Sequence, residues 1–202
     1  MIPDEWRLDK LVKIKSFGDK RAFRQRVCKL AEEGDWLEFG VYQGESANIF
    51  LTYGVKNNSK LYLFDSWEGL PEAWTGHNSD PKGLFEAGAM KCEMPIFNDE
   101  RVVIVKGLFN ETLPEWASTF QGKIGLVHID SDIYSSCKTV LKYIHPLITK
   151  DTLIIFDEFC GYPSWKEHEY KAFKEYVKRW GLRYKFIARS DSYAQVALKV
   201  WR

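Results

Sequence analysis

Short apolar segments alternate with helical segments along most of the chain, and this alternation constrains the fold more than any other feature. Strands are predicted at about 35–39, 61–65, 101–106, 124–130 and 151–156. Continuous apolar runs of this length are typical of parallel strands buried on both faces. Only a polar turn separates the segments 182–188 and 193–200, which predicts an antiparallel hairpin. The sequence therefore predicts an α/β protein with a mostly parallel, seven-stranded sheet and a C-terminal antiparallel hairpin.

Helices are predicted between these strands and before the first one. They cover about 4–33, 46–53, 135–144 and 167–180, and a short helix starts at Leu113. In the first of them Phe23, Val27 and Leu30 fall on one apolar stripe at i, i+4 and i+7. Gly34 stands where a C-terminal glycine cap would lie. At 202 residues, one domain covering 1–202 is expected, with 1–34 as its N-terminal helical segment.

Residues 66–98 lack this periodicity. Proline and glycine interrupt the segment, and four aromatic residues are spaced along it: Trp67, Trp74, Phe85 and Phe97. A long irregular segment in a compact domain is usually a functional lid or a disordered stretch. The aromatic content favours a lid that closes over an active site.

Composition excludes several classes of protein. The chain has 29 basic and 28 acidic residues and a net charge of +1, so there is no global electrostatic argument for nucleic acid or an anionic membrane surface as a partner. No apolar run approaches the roughly 18 residues that span a membrane. The four cysteines are scattered without a CxxC pair, and no signal peptide is recognisable. A reduced, cytoplasmic protein is therefore expected.

The segment 36–46 predicts a ligand site. It has the pattern of a buried strand, a turn containing Gly40 and Gly44, and the start of a helix. The glycine spacing is not that of a pyrophosphate-binding GxGxxG motif, and the chain has no P-loop. Asp65 follows Gly40 by 25 positions, near the offset at which an acid meets ribose hydroxyls. A nucleoside ligand without phosphates is favoured, and S-adenosylmethionine fits this description.

Acidic residues end four of the five predicted parallel strands. They are Glu38, Asp65, Asp130 and the pair Asp157–Glu158. Ligands of doubly wound sheets bind at the carboxyl ends of the strands, so we expect the site at this edge. Asp130, Asp157 and Glu158 come from neighbouring strands, and three carboxylates suit a hard cation such as Mg²⁺, with Asp132 as a fourth candidate ligand. The alternative is that a lysine or arginine neutralises the cluster.

Histidine contributes few candidates. His77, in the predicted lid, is the one plausible proton acceptor among the four histidines. His128 falls inside a predicted strand and is expected to be a hydrogen-bonded core residue.

Five sequence blocks resemble the macrocin O-methyltransferase (TylF-type) family of S-adenosylmethionine-dependent methyltransferases. They are 37–46 (LEFGVYQGES), 64–71 (FDSWEGLP), 107–114 (GLFNETLP), 128–134 (HIDSDIY) and 154–159 (IIFDEF). The resemblance covers most of 36–160, with the blocks in the family's order. It implies a class I methyltransferase fold, a Rossmann-like three-layer sandwich, which also matches five βα units followed by a hairpin.

The resemblance also implies a reaction. Family members transfer a methyl group to a hydroxyl, often on the sugar of a glycosylated natural product, with Mg²⁺ assistance. By this resemblance, Asp130, Asp157 and Glu158 would hold the metal, although the family usually has Asp–Asp at the last two positions. Asp130 would be the catalytic residue, near the departing proton. The acceptor would be a small molecule with a sugar or phenolic hydroxyl, and a homodimer would be common.

Cofactor contacts are expected from residues on both sides of the sheet centre. Glu38, Gly40, Gly44 and Ser46 are expected to hold the methionine end and Asp65, with Ser66, the ribose. The segment from Gly107 to Asn110 is expected to line the adenine pocket, and Asp130 to lie beside the cofactor. Two alternatives stay open: a metal-independent methyltransferase with His77 or Asp132 as the base, and a protein that binds S-adenosylmethionine without catalysis. The glycine spacing and hairpin disfavour a nicotinamide-dependent dehydrogenase.

Overall fold

The computed structural model describes residues 11–75 and 84–201. Within these residues the strands are β1 (Asp35–Phe39), β2 (Leu61–Asp65), β3 (Trp74–Thr75), β4 (Leu84–Phe85), β5 (Val102–Lys106), β6 (Ile124–Ile129), β7 (Leu153–Phe156), β8 (Tyr184–Arg189) and β9 (Val196–Val200). The α-helices are α1 (Lys20–Val27), α2 (Glu45–Tyr53), α3 (Phe109–Thr119), α4 (Tyr134–Ile144) and α5 (Glu169–Trp180), with short 3₁₀ helices at Cys28–Leu30 and Trp165–Glu167. None of the described helices is long and apolar enough to cross a membrane.

Seven of the strands form one sheet in the order β5-β2-β1-β6-β7-β9-β8. The first five run parallel, and β9 pairs antiparallel with both β7 and β8. The predicted mostly parallel sheet with a C-terminal hairpin is therefore confirmed. Since β1 and β6 are central, the chain that follows each of them emerges at the middle of one edge of the sheet.

The two faces of the sheet are covered by different helices. Side chains alternate between the faces of a strand, so Trp36 of β1 packs on one face while Leu37 and Phe39 pack on the other. The face of Trp36 is covered by α1 and α2, with Phe23, Val27, Ala47 and Phe50 buried against it. The opposite face is covered by α3, α4 and α5, with Leu113, Cys137, Val140 and Phe173 buried against it.

The N-terminal segment differs from the single helix predicted over 4–33, of which residues 1–10 lie outside the described part. The chain leaves helical geometry after residue 12, and Ser16 forms a parallel bridge with Arg189 of β8. A new helix, α1, then starts after Asp19, whose carboxylate accepts a hydrogen bond from the backbone N–H of Ala22 at 2.8 Å. The predicted stripe of Phe23, Val27 and Leu30 lies wholly after the break, so it does not show where the helix starts.

Two further local predictions are wrong. Gly34 does not cap a helix; it has φ of 146°, and a Cβ atom there would lie 2.5 Å from the carbonyl oxygen of Lys123. Helix α3 begins at Phe109 rather than at Leu113, so Pro114 lies inside it. The ring of Phe109, the first residue of α3, packs edge-on against Phe39, with centroids 5.6 Å apart. This contact holds the start of the helix on the sheet, although Pro114 lies inside the helix.

The packing of α1 on the sheet generates a test of stability. Phe23 is fully buried, so Phe23→Ala should lower the free energy of unfolding by about 3–5 kcal/mol, as truncation of buried aromatic residues does. Urea unfolding followed by circular dichroism measures the change. Val12→Ala, at a side chain that is 60% exposed, is the control and should change stability by less than about 0.5 kcal/mol. A loss of stability in Phe23→Ala as small as that of the control would show that α1 does not contribute to the core.

Candidate active site

A cavity of about 700 Å³ opens at the carboxyl edge of the parallel strands. Loops after β1, β2, β5, β6 and β7 contribute to its wall, together with Lys20 of α1. Seven of the residues predicted for the site line it: Gly40, Asp65, Ser66, Gly107, Asn110, Asp130 and Glu158. Asp132 lines it as well. The volume lies within the range of about 300–1,000 Å³ that is usual for cofactor and small-molecule sites.

Four other predicted residues lie outside this lining. Glu38 and Asp157 are fully buried and Ser46 nearly so, while Gly44 precedes α2 with φ of 81°. Glu38 falls on the α1/α2 face of the sheet, where its Oε1 accepts a hydrogen bond from the Ser46 hydroxyl. The geometry therefore does not support the expectation that Glu38 and Ser46 touch the methionine end of the cofactor. Their hydrogen bond instead fixes the start of α2 against β1.

Gly40 is required by a close approach between two loops. Its φ is 87°, and a Cβ atom there would lie only 1.8 Å from the carbonyl oxygen of Asp130. In parallel, the backbone N–H of Asp130 donates to the carbonyl of Phe39 at 2.9 Å. The loop after β1 and the acid after β6 are thereby held against each other.

Asp65 orders the same loop from the other side. Its Oδ2 accepts the backbone N–H groups of Val41 and Tyr42 at 2.7 and 3.0 Å, and its Oδ1 accepts that of Trp67 at 2.8 Å. Each carboxylate oxygen has two lone pairs, so one accepting position on Oδ1 stays available to a ligand. Asp65 thus holds the turn by hydrogen bonds and also lines the cavity.

Two cations of α1 reach the acids at the ends of β6 and β7. The Nη2 of Arg24 donates to Asp130 Oδ2 at 2.9 Å and to Asp157 Oδ1 at 2.7 Å. The Nζ of Lys20 lies 2.5 Å from the other oxygen of Asp157. Side-chain exposure is 4% for Arg24 and 47% for Lys20, so only the lysine is accessible from the cavity.

A row of buried polar groups extends this cluster across three strands. The imidazole of His128 lies 3.0 Å from Glu38 Oε1 through Nδ1 and 3.4 Å from Asp157 Oδ1 through Nε2. Gln195 of the turn before β9 donates to the carbonyl of Asp157 at 2.9 Å. His128 is therefore the hydrogen-bonded core residue that the sequence predicted. Burial alone would lower its pKa, but the hydrogen bonds with Asp157 and Glu38 raise it.

The acids of the cluster have different electrostatic environments. Burial would raise the pKa of Asp157, but Arg24, the His128 hydrogen bond and Lys20 together bring it below the ordinary value. Burial and the charge of Asp157 raise the pKa of Asp130 despite its contact with Arg24. Burial, then Asp157 and Asp130, raises the pKa of Glu158 to about 9. Of these three acids, Asp157 is therefore the one whose environment favours the ionised form.

The residues present do not fit the predicted Mg²⁺ site. Among residues 11–75 and 84–201, the one group of potential ligand atoms within 4.8 Å of one another is His128, Asp130 and Asp157, without Glu158. Both carboxylates of this group already accept Arg24, and both nitrogens of His128 are engaged. Mg²⁺ prefers near-octahedral oxygen ligands, which this arrangement does not offer. The alternative of neutralisation by a lysine or arginine describes the observed geometry.

Sequence reasoning missed Lys20 and Arg24. They lie in the segment to which no chemistry was assigned, four positions apart on one helix and therefore on the same face. That spacing, beside the apolar stripe of Phe23 and Val27, was the available signal. It does not by itself identify the acids that the two cations meet.

The described part of the predicted lid forms a short hairpin that borders the cavity. β3 pairs antiparallel with β4, and the rings of Trp74 and Phe85 stack with centroids 5.4 Å apart. The carbonyl of Thr75 accepts a hydrogen bond from Ser164 Oγ at 2.8 Å, which docks the hairpin on the loop after β7. Trp74 and Phe85 both line the cavity. His77, the predicted proton acceptor, lies outside the described residues.

Comparison with protein families identifies the group to which the chain belongs. The family described as a methyltransferase domain matches residues 37–159, which is more than half of the chain. The chain belongs to this family. The match begins in β1 and ends just after Glu158, so it contains the acids at the cavity but not Lys20 and Arg24 of α1. No curated protein sequence matches the chain.

Solved structures show the same fold. CalS11, a calicheamicin methyltransferase, is 21% identical over 87% of this chain and 75% of its own, with a TM-score of 0.65. An apo structure of CalS11, described as a TDP-rhamnose 3'-O-methyltransferase, gives 23% identity, the same coverage and a TM-score of 0.59. The O-methyltransferase NovP is 18% identical over 91% of this chain and 80% of its own, with a TM-score of 0.63.

A third protein, an O-methyltransferase from Bacillus cereus in complex with S-adenosylhomocysteine, is 13% identical over 95% of this chain and 86% of its own, with a TM-score of 0.55. Identities this low show the fold alone. The expected class I methyltransferase fold, with its sheet and terminal hairpin, is therefore confirmed.

The contact at Gly40 generates a prediction with a matched control. Gly40→Ala should lower the free energy of unfolding by about 1–3 kcal/mol more than Gly88→Ala, because its Cβ meets the Asp130 carbonyl. Gly88 has nearly the same φ, 85°, but no atom within 4 Å of a Cβ there, so it isolates the backbone strain. Urea unfolding measures both, and calorimetry with S-adenosylhomocysteine should show weaker binding only for Gly40→Ala. Equal losses would contradict the close approach.

Proposed function

We propose that this protein is an O-methyltransferase that transfers the methyl group of S-adenosylmethionine to a hydroxyl of a small sugar-containing acceptor. The observation that carries the proposal is a single cavity with two distinct walls. One wall is the loop held by Asp65, and the other contains the acids Asp130 and Asp132. Membership of the methyltransferase-domain family supports the reaction class.

The cofactor is proposed to lie along the first wall. Backbone groups of the loop from Gly40 to Tyr42, the carboxylate of Asp65 and the segment from Gly107 to Asn110 line that part of the cavity. Ser66 follows Asp65 and lines it too. The cofactor supplies a methyl group already activated by the positive sulfur. The Bacillus cereus relative, whose structure contains S-adenosylhomocysteine, supports this choice of cofactor.

The acceptor is proposed to lie under the hairpin formed by β3 and β4. Trp74 is buried and stacks on Phe85, which is partly exposed, so the ring of Phe85 gives this part of the cavity an aromatic surface that suits sugar or phenol rings. CalS11 is described as acting on TDP-rhamnose, and this favours a sugar hydroxyl over a phenol. The narrower TylF-type assignment, a homodimer, a cytoplasmic location and a single domain over 1–202 stay predictions.

The protein's part in the reaction is to orient the hydroxyl and accept its proton. Alignment of the acceptor oxygen with the activated methyl group contributes a large part of such a rate enhancement. Asp130 has a side chain that is 24% exposed in the cavity lining, and Arg24 holds its Oδ2. Oδ1 accepts no hydrogen bond from the described residues, so it is the atom proposed to receive the proton. Asp132, with φ of 60°, is the neighbouring alternative base.

Mg²⁺ assistance, expected from the family resemblance, is not part of the proposal. Two of the three carboxylates that would hold the ion, those of Asp130 and Asp157, already accept hydrogen bonds from Arg24. The metal-independent methyltransferase is therefore the preferred form of the reaction. A protein that binds the cofactor without catalysis is the second candidate, and it predicts cofactor binding with no methyl transfer to any acceptor.

A screen for methyl transfer tests the reaction class. Purified protein with radiolabelled S-adenosylmethionine should methylate at least one member of a panel of nucleotide sugars, glycosides and phenols. The radiolabelled methyl group should stay on the product in mild base, as expected for a methyl ether and not for a methyl ester. Cofactor binding by calorimetry with no transfer to any compound would favour the non-catalytic candidate.

The assignment of Asp130 generates a separate prediction. Asp130→Asn should lower kcat by about 10²–10⁴-fold, the usual contribution of a positioned general base. Affinity for S-adenosylhomocysteine should change little, which calorimetry measures and which also confirms that the variant is folded. Asp151→Asn, at the opposite edge of the sheet before β7, is the control and should keep wild-type turnover. Unchanged turnover in Asp130→Asn would remove Asp130 from the mechanism.

A further inference from the structure

We infer that Lys20 and Arg24 take the place that a divalent cation would have at Asp130 and Asp157, and that Lys20 Nζ binds the oxygen of the acceptor. The inference rests on the proposed function for its second half. Its first half, the replacement of the ion, concerns the cluster alone and is tested without turnover.

Arg24 occupies the space between the two acids. One nitrogen, Nη2, bonds both Asp130 Oδ2 and Asp157 Oδ1, at 2.9 and 2.7 Å, so the carboxylates are bridged as a shared ion would bridge them. With Lys20 at 2.5 Å from Asp157, two positive charges meet two carboxylates. This equals the charge of one divalent ion. A bound ion would have to displace a guanidinium whose side chain is only 4% exposed.

The position of Arg24 is fixed by the packing of α1. Phe23 and Val27, on either side of Arg24, are fully buried against the sheet, and Asp19 caps the helix. The N–H at Nε of Arg24 already has no partner among the described residues. Moving the guanidinium away from the acids would leave a buried charge unpaired, which is strongly unfavourable. The arrangement is therefore part of the fold.

Lys20 is the member of the pair that faces the cavity. Its side chain is about half exposed and lines the cavity, while its Nζ keeps the contact with Asp157. An ammonium has three N–H donors, and the contact with Asp157 uses one of them. The others are available to an acceptor oxygen beside Asp130. A cation at this point stabilises negative charge that develops on the oxygen, which is the role a metal ion has as a Lewis acid.

The reaction is balanced without any further reactant. The acceptor oxygen forms a bond to the methyl carbon, the bond from that carbon to sulfur breaks, and the electron pair stays on sulfur. The hydroxyl proton passes to Asp130 and from there to solvent. Lys20 donates a hydrogen bond throughout and keeps its own protons.

Direct binding of Mn²⁺ tests the replacement of the ion. Wild-type protein should show no specific binding of Mn²⁺ by electron paramagnetic resonance and no rise in melting temperature with Mg²⁺ or Mn²⁺. Arg24→Ala should gain Mn²⁺ binding, because two adjacent carboxylates lose their partner. Stoichiometric binding to the wild type that Asp157→Asn removes would overturn the inference, and this result does not depend on whether Arg24→Ala folds.

Kinetics test the role of Lys20. Lys20→Met should lower kcat by about 10²–10³-fold, the effect of removing one oxyanion donor, with unchanged affinity for S-adenosylhomocysteine. Lys20→Arg should recover part of the loss, because it restores the charge. Arg21→Met, the next residue on α1, whose exposed side chain pairs with Glu45, is the control and should keep wild-type rates. A Lys20→Met enzyme with wild-type kcat would refute the role.

Turnover should also persist in EDTA. Loss of activity in EDTA that Mg²⁺ restores would overturn the inference while leaving the methyltransferase proposal intact. Absence of turnover with every acceptor would have the opposite meaning: it would contradict the proposed function, while the Mn²⁺ measurement would still decide whether the ion is replaced.

Discussion

The contact on which the candidate site depends is the double hydrogen bond from one nitrogen of Arg24 to Asp130 and Asp157. Two carboxylates at the ends of neighbouring parallel strands repel each other when they are buried, and a cation between them stabilises their charged forms. Here the cation comes from α1, so the packing of α1 also determines the geometry of the acids. Removing one partner of such a buried pair typically costs about 3–5 kcal/mol. The surrounding residues are arranged around this pair: His128 links Asp157 to Glu38, and Glu38 links the row to Ser46 at the start of α2.

This arrangement brings the proposed binding site and the proposed reacting groups to one edge of the sheet. Gly40 allows the loop after β1 to lie directly on the Asp130 carbonyl, so the proposed cofactor wall and the proposed proton acceptor share a backbone contact. Asp65 holds that loop through three backbone N–H groups. The proposed acceptor side is bordered by the hairpin of β3 and β4, which Thr75 ties to the loop after β7. Each wall is therefore fixed by hydrogen bonds to a different strand end, while the space between them stays open for ligands.

The sheet and the acids at its carboxyl edge could be predicted from the sequence because their signals are local. A continuous apolar run that ends in Asp65, Asp130 or Asp157 predicts a strand and also places the acid at the carboxyl end of that strand. Adjacent parallel strands end side by side, which brings Asp130 and Asp157 together, but Glu158 is not part of their group of ligand atoms within 4.8 Å. What occupies the space between them could not be predicted, because Arg24 lies 106 positions from Asp130 and 133 from Asp157. A cluster of acids has the same sequence whether a metal ion or a guanidinium neutralises it. The burial of Glu38 was missed for a related reason: an acid at a strand end looks like a ligand contact until the neighbouring strand supplies His128 as its partner.

The central claim is that a guanidinium of the chain itself, and not a divalent ion, joins Asp130 to Asp157. The most direct test is a crystal structure of the protein with S-adenosylhomocysteine, grown with Mn²⁺ and measured at a wavelength where manganese scatters anomalously. We expect Arg24 between the two carboxylates, Lys20 beside Asp157 and no anomalous peak among them. A manganese peak bonded to both carboxylates, with Arg24 displaced from the pair, would contradict it.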